Sequence, residues 1–254
     1  MAKTPTTKLN LGCGARFLDD ESWANADLMP KWRRVHRVNL NRPLPYRDCS
    51  FEFIYSSHVL DHFPLARAQR IVQEAHRCLK PGGVLRISVP DLAYCAQRYI
   101  QSYMQNELHP LRHEWHTIEL IDQMTRTEYG GEKARFLAMA TEKPQLMEWL
   151  KPLLGAEMRL HLDRRIEARP SLAQKIMALL KNLALRRNFE TSGERHYWAF
   201  DKISLRDFIK KCGFKDPREM SWDHSDYAPF RTENLDAESG CQYKPGSIYM
   251  EAAK

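Results

Sequence analysis

The sequence predicts an α/β fold, built on an open and mostly parallel sheet that is interrupted by a large helical insertion. Strand-like and helix-like patterns alternate from residue 8 to residue 100, which is typical of a parallel sheet covered by helices. From about residue 105 to 195 the alternation stops, and it returns near the end of the chain. The 254 residues, 43% of them hydrophobic, suffice for one large core. We therefore expect one domain with an insertion.

The first predicted strand ends in a glycine turn. Leu9 and Leu11 close this short strand, and Gly12 and Gly14 let the backbone turn sharply and let a ligand approach without a Cβ in the way. Asp27 closes the second short strand, where an acidic side chain in doubly wound folds accepts hydrogen bonds from a ribose diol. The two features together indicate a nucleoside site.

The glycine turn lacks the residues that hold phosphates. A dinucleotide fingerprint has its third glycine where this chain has Phe17, and a P-loop ends in Gly-Lys-Ser/Thr, where this chain has Gly14 followed by Ala15. Only 13 residues separate Gly14 from Asp27. The helix that usually joins the first two strands must therefore be very short or replaced by a loop over residues 16–22.

The later elements follow from periodicity and from helix breakers. Before the insertion the pattern predicts strands at residues 35–39, 51–55 and 84–89. It predicts helices at residues 65–79 and 91–99. Beyond the insertion, Ser204 is the predicted N-cap of a helix that ends at Gly213. Two final strands are predicted at residues 218–222 and 247–252.

Four stretches, taken in order, resemble the successive motifs of class I S-adenosylmethionine-dependent methyltransferases. They are Leu9–Gly14, Asn39–Tyr46, Ser50–His62 and Leu79–Pro90. The third is similar to the type 11-like branch that acts on small molecules or glycans, whose fourth strand runs into Ser-Ser-His-Val-Leu-Glu/Asp-His. The resemblance implies a Rossmann-like sheet of seven strands, mostly parallel with an antiparallel last strand, and S-adenosylmethionine as the cofactor.

The resemblance also implies which residues contact the cofactor. In this family the glycine turn holds the methionine part, the acid after strand two binds the ribose, and the residue after strand three contacts the adenine. The implied cofactor residues of this chain are Asn10, Leu11, Gly12, Cys13, Gly14, Asp27, Leu28, Asn39, Leu40, Ser56 and Ser57. Asn39 stands where the family usually has Asp, so the hydrogen bond to the adenine amine loses its charge assistance. We expect weaker cofactor binding from this change.

The insertion divides the predicted methyltransferase domain in two. Residues 1–104 and 196–254 are expected to form the Rossmann-like domain, and residues 105–195 the helical insertion. The insertion leaves after strand five and returns before the last helix, which places its stems at the carboxyl ends of the strands, where ligands bind in open α/β sheets. We therefore expect it to be an acceptor-binding lid.

A polar helix end inside the insertion is a candidate acceptor site. Glu119, Asp122, Arg126 and Tyr129 precede Gly130-Gly131. An acid, an arginine and a phenol suit hydroxyl-rich or phosphate-bearing substrates. The alternative interpretation is an exposed helix that glycine terminates.

Four residues are candidates for catalysis, namely His196, His58, His62 and Asp122. Methyl transfer from a sulfonium is an in-line displacement, so a base is needed only when the acceptor is a hydroxyl or an ammonium group. Histidine suits this task near neutral pH. His196 is surrounded by aromatic residues and either takes the acceptor proton or packs the lid. His62 has the alternative of anchoring the helix that follows it.

No metal site is expected. His109, His113 and His116 lie at helical spacing, but Glu114 would point elsewhere on that helix, so solvated or core histidines explain the pattern better than a zinc site. The six cysteines are scattered without a Cys-x-x-Cys motif and are expected to be reduced thiols.

The net charge of +7 is concentrated in the insertion. Residues 171–187 have the pattern of a basic amphipathic helix. Packing on the core is the first interpretation, contact with an anionic membrane surface the second, and nucleic acid the third, because no RNA-binding module accompanies the helix. The polar leader and the lack of a long apolar run predict a cytoplasmic protein, which the second interpretation would bring to the inner membrane face.

The first hypothesis for function is an S-adenosylmethionine-dependent methyltransferase that acts on a polar small molecule or a glycan. One alternative is a catalytically inactive module that binds S-adenosylmethionine or a nucleoside. Another is a nucleic-acid methyltransferase that uses the basic insertion. The sequence gives no indication of an oligomeric state.

Overall fold

A computed structural model describes residues 5–105, 109–156, 189 and 193–254. The strands of its main sheet are β1 (Lys8–Leu11), β2 (Trp23–Asp27), β3 (Val35–Arg37), β4 (Phe51–Ser57), β5 (Leu79–Pro90), β6 (Lys215–Met220) and β7 (Ser247–Ala253). The α-helices within the described residues are α1 (Leu65–Cys78), α2 (Leu92–Met104), α3 (Pro110–Thr125), α4 (Gly131–Ala140), α5 (Pro144–Leu150) and α6 (Lys202–Lys211). The predicted basic helix over residues 171–187 lies outside the described residues.

The seven strands form one sheet in the order β3-β2-β1-β4-β5-β7-β6. Neighbouring strands from β3 to β5 are parallel, and β7 runs antiparallel between β5 and β6. This is the Rossmann-like sheet with an antiparallel last strand that the sequence predicted. The register pairs Leu11 of β1 with Ala26 of β2 and with Ser56 of β4. The carboxyl ends of these three strands therefore lie side by side.

The chain divides into two compact units. The sheet unit comprises Met1–Asp91, Trp198–Gly240 and Ser247–Lys254, and the helical unit comprises Leu92–Tyr197 and Cys241–Gly246. The helix α2, which the sequence assigned to the Rossmann-like part, groups with the helical unit.

Helices α1 and α6 cover one face of the sheet. Their apolar stripes pack on alternate residues of the strands, among them Leu9, Leu11, Ile54, Leu85, Ile87, Ile71, Ala75, Leu205 and Ile209. In α1 the stripe includes Ala68, which is fully buried, whereas Ala66 is exposed.

The opposite face of the sheet is covered by the irregular segment 221–240. Trp23, Phe53 and Tyr55 of the strands pack there against Phe230 and Leu235 of this segment. The ring of Phe53 lies 5.2 Å from that of Phe230. An aromatic layer thus takes the place that a helix usually occupies in such folds.

A charged cluster is buried beneath the segment 221–240. The Arg86 side chain is fully buried, and it donates from Nε to Asp236 (2.7 Å) and from Nη1 to Glu251 (2.8 Å). It also donates to the backbone carbonyls of His224 and Ser221, at 2.9 and 3.0 Å. One guanidinium therefore ties the centre of the sheet to the covering segment.

The start of the last helix departs from the predicted boundary. Helix α6 begins at Lys202, with Asp201 as its N-cap and Ser204 as the partner in a capping box, since Asp201 accepts from the backbone N–H groups of Ile203 and Ser204. The predicted N-cap Ser204 is thus the third residue of the helix. Residues 12–22 contain no helix, as the short spacing between β1 and β2 predicted.

Helices α2 to α5 belong to the helical unit. The core of this unit includes Trp115, Phe136, Leu137, Ala140, Leu146, Met147, Leu150 and Leu154. Trp115 is fully buried, and its ring lies 5.5 Å from that of Phe136. Within the described part of the chain, no helix combines the length and the apolar character needed to cross a membrane.

Candidate functional site

The glycine turn after β1 folds onto the end of β2. The backbone N–H groups of Gly12 and Cys13 both donate to the carbonyl of Ala26, at 2.8 and 3.1 Å. Gly12 has a φ of +65°, and a Cβ placed there would lie 2.4 Å from a methyl group of Val59. Gly12 is therefore required both by its backbone conformation and by close packing.

Gly14 has a different environment from Gly12. Its φ is +52°, but a Cβ added at this position would meet no atom of the described residues within 4 Å. The space in front of Gly14 is open, so a ligand can approach its backbone closely.

Asp27 is fixed next to this turn. Its Oδ2 accepts from the backbone N–H of Gly14 (2.9 Å), and its Oδ1 accepts from that of Met29 (3.0 Å). Each carboxylate oxygen keeps a second lone pair for a further donor, such as a ribose hydroxyl. The neighbouring Leu28 is 42% exposed, so an apolar surface adjoins the carboxylate.

Cys13 lies in the turn as a neutral thiol. Burial, with a smaller contribution from the negative charge of Asp27, raises the pKa of Cys13 to about 12. A thiol with this pKa is protonated at neutral pH and is a weak nucleophile. Cys13 therefore contributes its backbone and shape to the turn.

Asn10 and Leu11 support the turn from within the sheet. Both side chains are buried, and Asn10 donates from Nδ2 to the carbonyl of Arg16 at 3.0 Å. Arg16 in turn donates to the carbonyl of Leu235 at 3.1 Å. The loop between β1 and β2 is thereby held without a helix.

Asn39 and Leu40 follow β3. Asn39 is exposed, and its Oδ1 accepts from the backbone N–H of Asn41 at 2.9 Å. One acceptor position of the amide is therefore already used by the loop itself. Leu40 packs against the core of the sheet.

The end of β4 carries the other predicted residues of the sheet unit. The hydroxyl of Ser56 is buried and has no hydrogen-bond partner within the part of the chain that the structure describes, and Ser57 hydrogen-bonds to the hydroxyl of Tyr55. His58 has a φ of +53°, and its Nε2 lies 2.8 Å from Oγ of Ser247. His62 Nε2 lies 3.6 Å from a carboxylate oxygen of the buried Asp61. The orphaned hydroxyl of Ser56, the open space at Gly14 and the carboxylate of Asp27 fit a bound nucleoside.

In the helical unit, the predicted acceptor residues have internal partners. Asp122 is bonded to Arg126 and also accepts from the backbone N–H of Glu132 at 2.7 Å, which ties α3 to the start of α4. Arg126 is buried and also contacts Glu194 at 3.1 Å. Tyr129 packs edge-on to Phe189. These contacts give Asp122 and Arg126 a structural role, and their part in catalysis or acceptor binding stays a prediction.

The histidines of the helical unit also have individual partners. His113 Nδ1 lies 3.0 Å from Oγ of Ser102, and His116 Nδ1 lies 3.0 Å from a carboxylate oxygen of Glu119. His109 is the N-cap residue of α3. His196 donates its backbone N–H to the carbonyl of Gln123 at 2.9 Å and is half-buried. Its role as the base stays a prediction.

Val59 is a contact of the glycine turn that sequence reasoning missed. Its methyl groups fill the space above Gly12. The signal was the Ser-Ser-His-Val stretch after β4, but its position against β1 depends on the pairing of two strands that are distant in the sequence.

Comparison with known proteins finds a family model that matches part of the sheet unit. Residues 21–87 match the family model described as "Methyltransferase domain". No curated protein matches the chain.

Several solved structures are similar over most of the chain. One is a SAM-dependent methyltransferase of Thermotoga maritima, described as a possible histamine N-methyltransferase, with 14% identity, 98% of this chain and 82% of that one covered, and a TM-score of 0.42. Another is a SAM-dependent methyltransferase of Archaeoglobus fulgidus, with 11% identity, 99% and 87% coverage, and a TM-score of 0.43. A third comes from Mesorhizobium loti, with 14% identity, 100% and 94% coverage, and a TM-score of 0.39.

Proposed function

We propose that the chain is a class I S-adenosylmethionine-dependent methyltransferase, and that it methylates a hydroxyl or amine of a polar small molecule or glycan. The cofactor supplies an electrophilic methyl group on a sulfonium. The acceptor class rests on the resemblance of the Ser50–His62 stretch to the small-molecule and glycan branch and on the polar side chains of the helical unit.

The observation that carries the proposal is the pairing of Gly14 with Asp27. The open space at Gly14 gives room for the methionine part of the cofactor, and the hydrogen bond from Gly14 N–H fixes the carboxylate that would accept the ribose hydroxyls. Leu28 and the Asn39–Leu40 pair would contact the adenine. The buried hydroxyl of Ser56 is a further donor at the end of the neighbouring strand.

The residues of the chain would mainly align the two substrates and exclude water. In-line displacement at a methyl group needs no covalent intermediate, and the high pKa of Cys13 argues against methyl transfer through its thiol. A hydroxyl or ammonium acceptor must lose a proton, and His196, His58 and His62 are the candidates for this step.

The second candidate function is that of a catalytically inactive module that still binds the cofactor. Asn39 favours it, because this amide replaces the usual carboxylate and spends one acceptor position on its own loop. Both candidate functions require that the protein binds the cofactor, but only the first requires that it turns over an acceptor.

Calorimetry with S-adenosylmethionine and S-adenosylhomocysteine tests the premise shared by both functions. We expect wild type to bind both, and Asp27→Ala to weaken binding by about 1–3 kcal/mol through lost hydrogen bonds. Asp207→Ala, which removes an exposed carboxylate from α6, is the matched control and should bind as wild type does. Absence of binding by wild type would exclude both functions.

Release of S-adenosylhomocysteine in the presence of different acceptors then separates the functions. Sugar nucleotides, cell-envelope glycan extracts, tRNA and protein lysate cover the relevant chemistry. Turnover with the first two supports the proposal. Turnover with tRNA alone would favour a nucleic-acid methyltransferase, and binding without turnover on any acceptor would favour the inactive module.

A further inference from the structure

The helical unit contains a cavity of about 320 Å³ between α2, α3 and α5. It is lined by eight described residues, and none of these is acidic. Arg98 and Ser102 come from α2, Arg112 and His116 from α3, and Trp149 from α5. The cavity is therefore built from three elements of one unit.

The two arginines of the cavity lack the usual carboxylate partners. Among the described residues, neither Arg98 nor Arg112 forms an ion pair, and each guanidinium lies against an aromatic ring. Arg98 Cζ is 5.4 Å from the centre of the Tyr94 ring, and Arg112 Cζ is 5.1 Å from that of Trp149. Stacking of this kind holds the planar groups in place while their edges stay available to hydrogen-bond acceptors.

A buried donor on Arg98 also points to a missing acceptor. The side chain of Arg98 hydrogen-bonds to Tyr94, but its Nε is buried and has no hydrogen-bond partner among the described residues. Buried polar groups in folded proteins are nearly always hydrogen-bonded, so an unpaired guanidinium nitrogen beside a cavity indicates a ligand that accepts from it.

The remaining polar groups of the cavity add donors. Gln101 and Gln105 contribute side-chain amides and His109 contributes an imidazole, whereas Ser102 donates its hydroxyl proton to the carbonyl of Tyr99. The contact between His116 Nδ1 and Glu119 fixes the orientation of that ring. Two positive charges and several neutral donors match a group with about two negative charges and several acceptor oxygens, which is the chemistry of a phosphate monoester.

We propose that this cavity binds the phosphate group of a small phosphorylated molecule, such as a sugar phosphate or a sugar nucleotide. The volume suits a small ligand and the charge suits a phosphate. The proposal concerns the helical unit and does not depend on methyl transfer, because binding at this cavity is measurable without the cofactor and without turnover.

Calorimetry on the full chain without S-adenosylmethionine tests the proposal. The probes are inorganic phosphate, glucose 1-phosphate and UDP-glucose, with glucose as the neutral control. We expect at least one phosphorylated probe to bind and glucose not to bind, with affinity falling as salt is raised. Inorganic phosphate that binds as tightly as glucose 1-phosphate shows recognition of the phosphate alone, whereas tighter binding of the sugar phosphate shows recognition of both parts.

Substitutions locate the binding to the cavity. Arg98→Gln and Arg112→Gln should each lower the affinity at least tenfold, since each removes a charged donor. Arg135→Gln removes the same charge from an arginine of α4 that is 63% exposed and pairs with Glu128 and Glu132, and it should leave the affinity unchanged. Circular dichroism confirms that each variant is folded.

Two results would overturn the proposal. The first is wild-type protein that binds none of the phosphorylated probes at millimolar concentration, a result that needs no variant to fold. The second is an affinity that Arg135→Gln lowers as much as the two cavity substitutions do, which would indicate general attraction of anions to a basic protein.

Discussion

The guanidinium of Arg86 is buried in the sheet unit together with two carboxylates, Asp236 and Glu251. Tyr55 donates its hydroxyl to Asp236 at 2.6 Å, and burial, together with the negative charge of Asp236, raises the pKa of Tyr55 well above its ordinary value. The tyrosine therefore remains a neutral donor. The cluster is satisfied as long as all its members are present, and the loss of one leaves the others unpaired in a medium of low dielectric constant.

Arg86→Met should lower the free energy of unfolding by about 3–5 kcal/mol, because it leaves two buried carboxylates without their cation. Urea denaturation measures the change. Arg218→Met is the control, since Arg218 is 69% exposed and its contact with Asp226 (3.3 Å) should contribute at most about 1 kcal/mol. Equal losses in the two variants would contradict the role assigned to the cluster.

Gly14→Ala should weaken cofactor binding at least tenfold, since its Cβ would occupy the space that the ligand needs. Gly82→Ala is the matched control, because Gly82 also has a positive φ (+75°) and open space around it, but lies at the start of β5. In both variants the left-handed backbone conformation of the alanine lowers the stability of the protein by about 1–2 kcal/mol. Calorimetry and thermal denaturation together separate the two effects, and equal cofactor affinity of the two variants would contradict the placement of the ligand at Gly14.

The residues whose roles could be predicted from the sequence are those whose roles depend on adjacent residues in the chain. Gly12 and Gly14 were predictable because a strand followed by two glycines determines the turn. Arg86 was not, because its carboxylate partners lie 150 and 165 residues away and no local pattern connects them. The internal contacts of Asp122 were hidden for a similar reason, since they depend on how α3 meets α4.

The position at which helix α6 begins depends on contacts outside the helix. The sequence predicted the helix, but Ser204 and Asp201 both qualify as N-caps, and they are joined in one capping box. The choice between them depends on where Phe200 and the preceding chain are held, which the bridge between Asp91 and Phe200 decides. Element types were therefore predictable, whereas the first residue of an element depended on tertiary contacts.

Asp201→Ala should destabilise the protein by about 0.5–2 kcal/mol at neutral pH through loss of the N-cap. The hydrogen bonds from Ser204 lower the pKa of Asp201 below its ordinary value of 3.8. The stabilisation is therefore complete above pH 3.8 and is lost as the pH falls through the lower folded-state pKa. The difference between wild type and variant should shrink in that acidic range.

Thermal denaturation at several pH values measures this dependence. Asp201→Asn keeps a capping oxygen without a charge and is the control, so its small difference from the alanine variant should not vary with pH in the same way. A difference between wild type and Asp201→Ala that stays constant down to pH 2 would contradict the assignment of the charged cap.

The whole molecule combines a predictable sheet with a helical unit that was predictable only in outline. Alternation of strands and helices predicted the parallel part of the sheet, because parallel neighbours require crossover connections, and the resemblance implied the antiparallel last strand. The helical unit has no such rule, and its helix pairing depends on side-chain packing around residues such as Trp115. Its expected role as a lid stays a prediction.

His196→Ala tests whether the helical unit takes part in turnover. We expect turnover to fall by about 10²–10⁴-fold with nearly unchanged affinity for S-adenosylmethionine, if the imidazole removes the acceptor proton. His36→Ala, at an exposed position on β3, is the control. Normal turnover with a lowered melting temperature would remove His196 from the catalytic candidates and leave His58 as the next one to test.

The position of β7 between β5 and β6 has a consequence for the synthesis of the protein on the ribosome. Strand β5 is complete at Pro90, but the strand that covers its free edge starts only at Ser247. While the residues between Pro90 and Ser247 are being translated, this edge of β5 has unpaired backbone donors and acceptors. Edges of this kind can pair with other chains. The sheet therefore cannot be completed before Ser247–Ala253 has been synthesised.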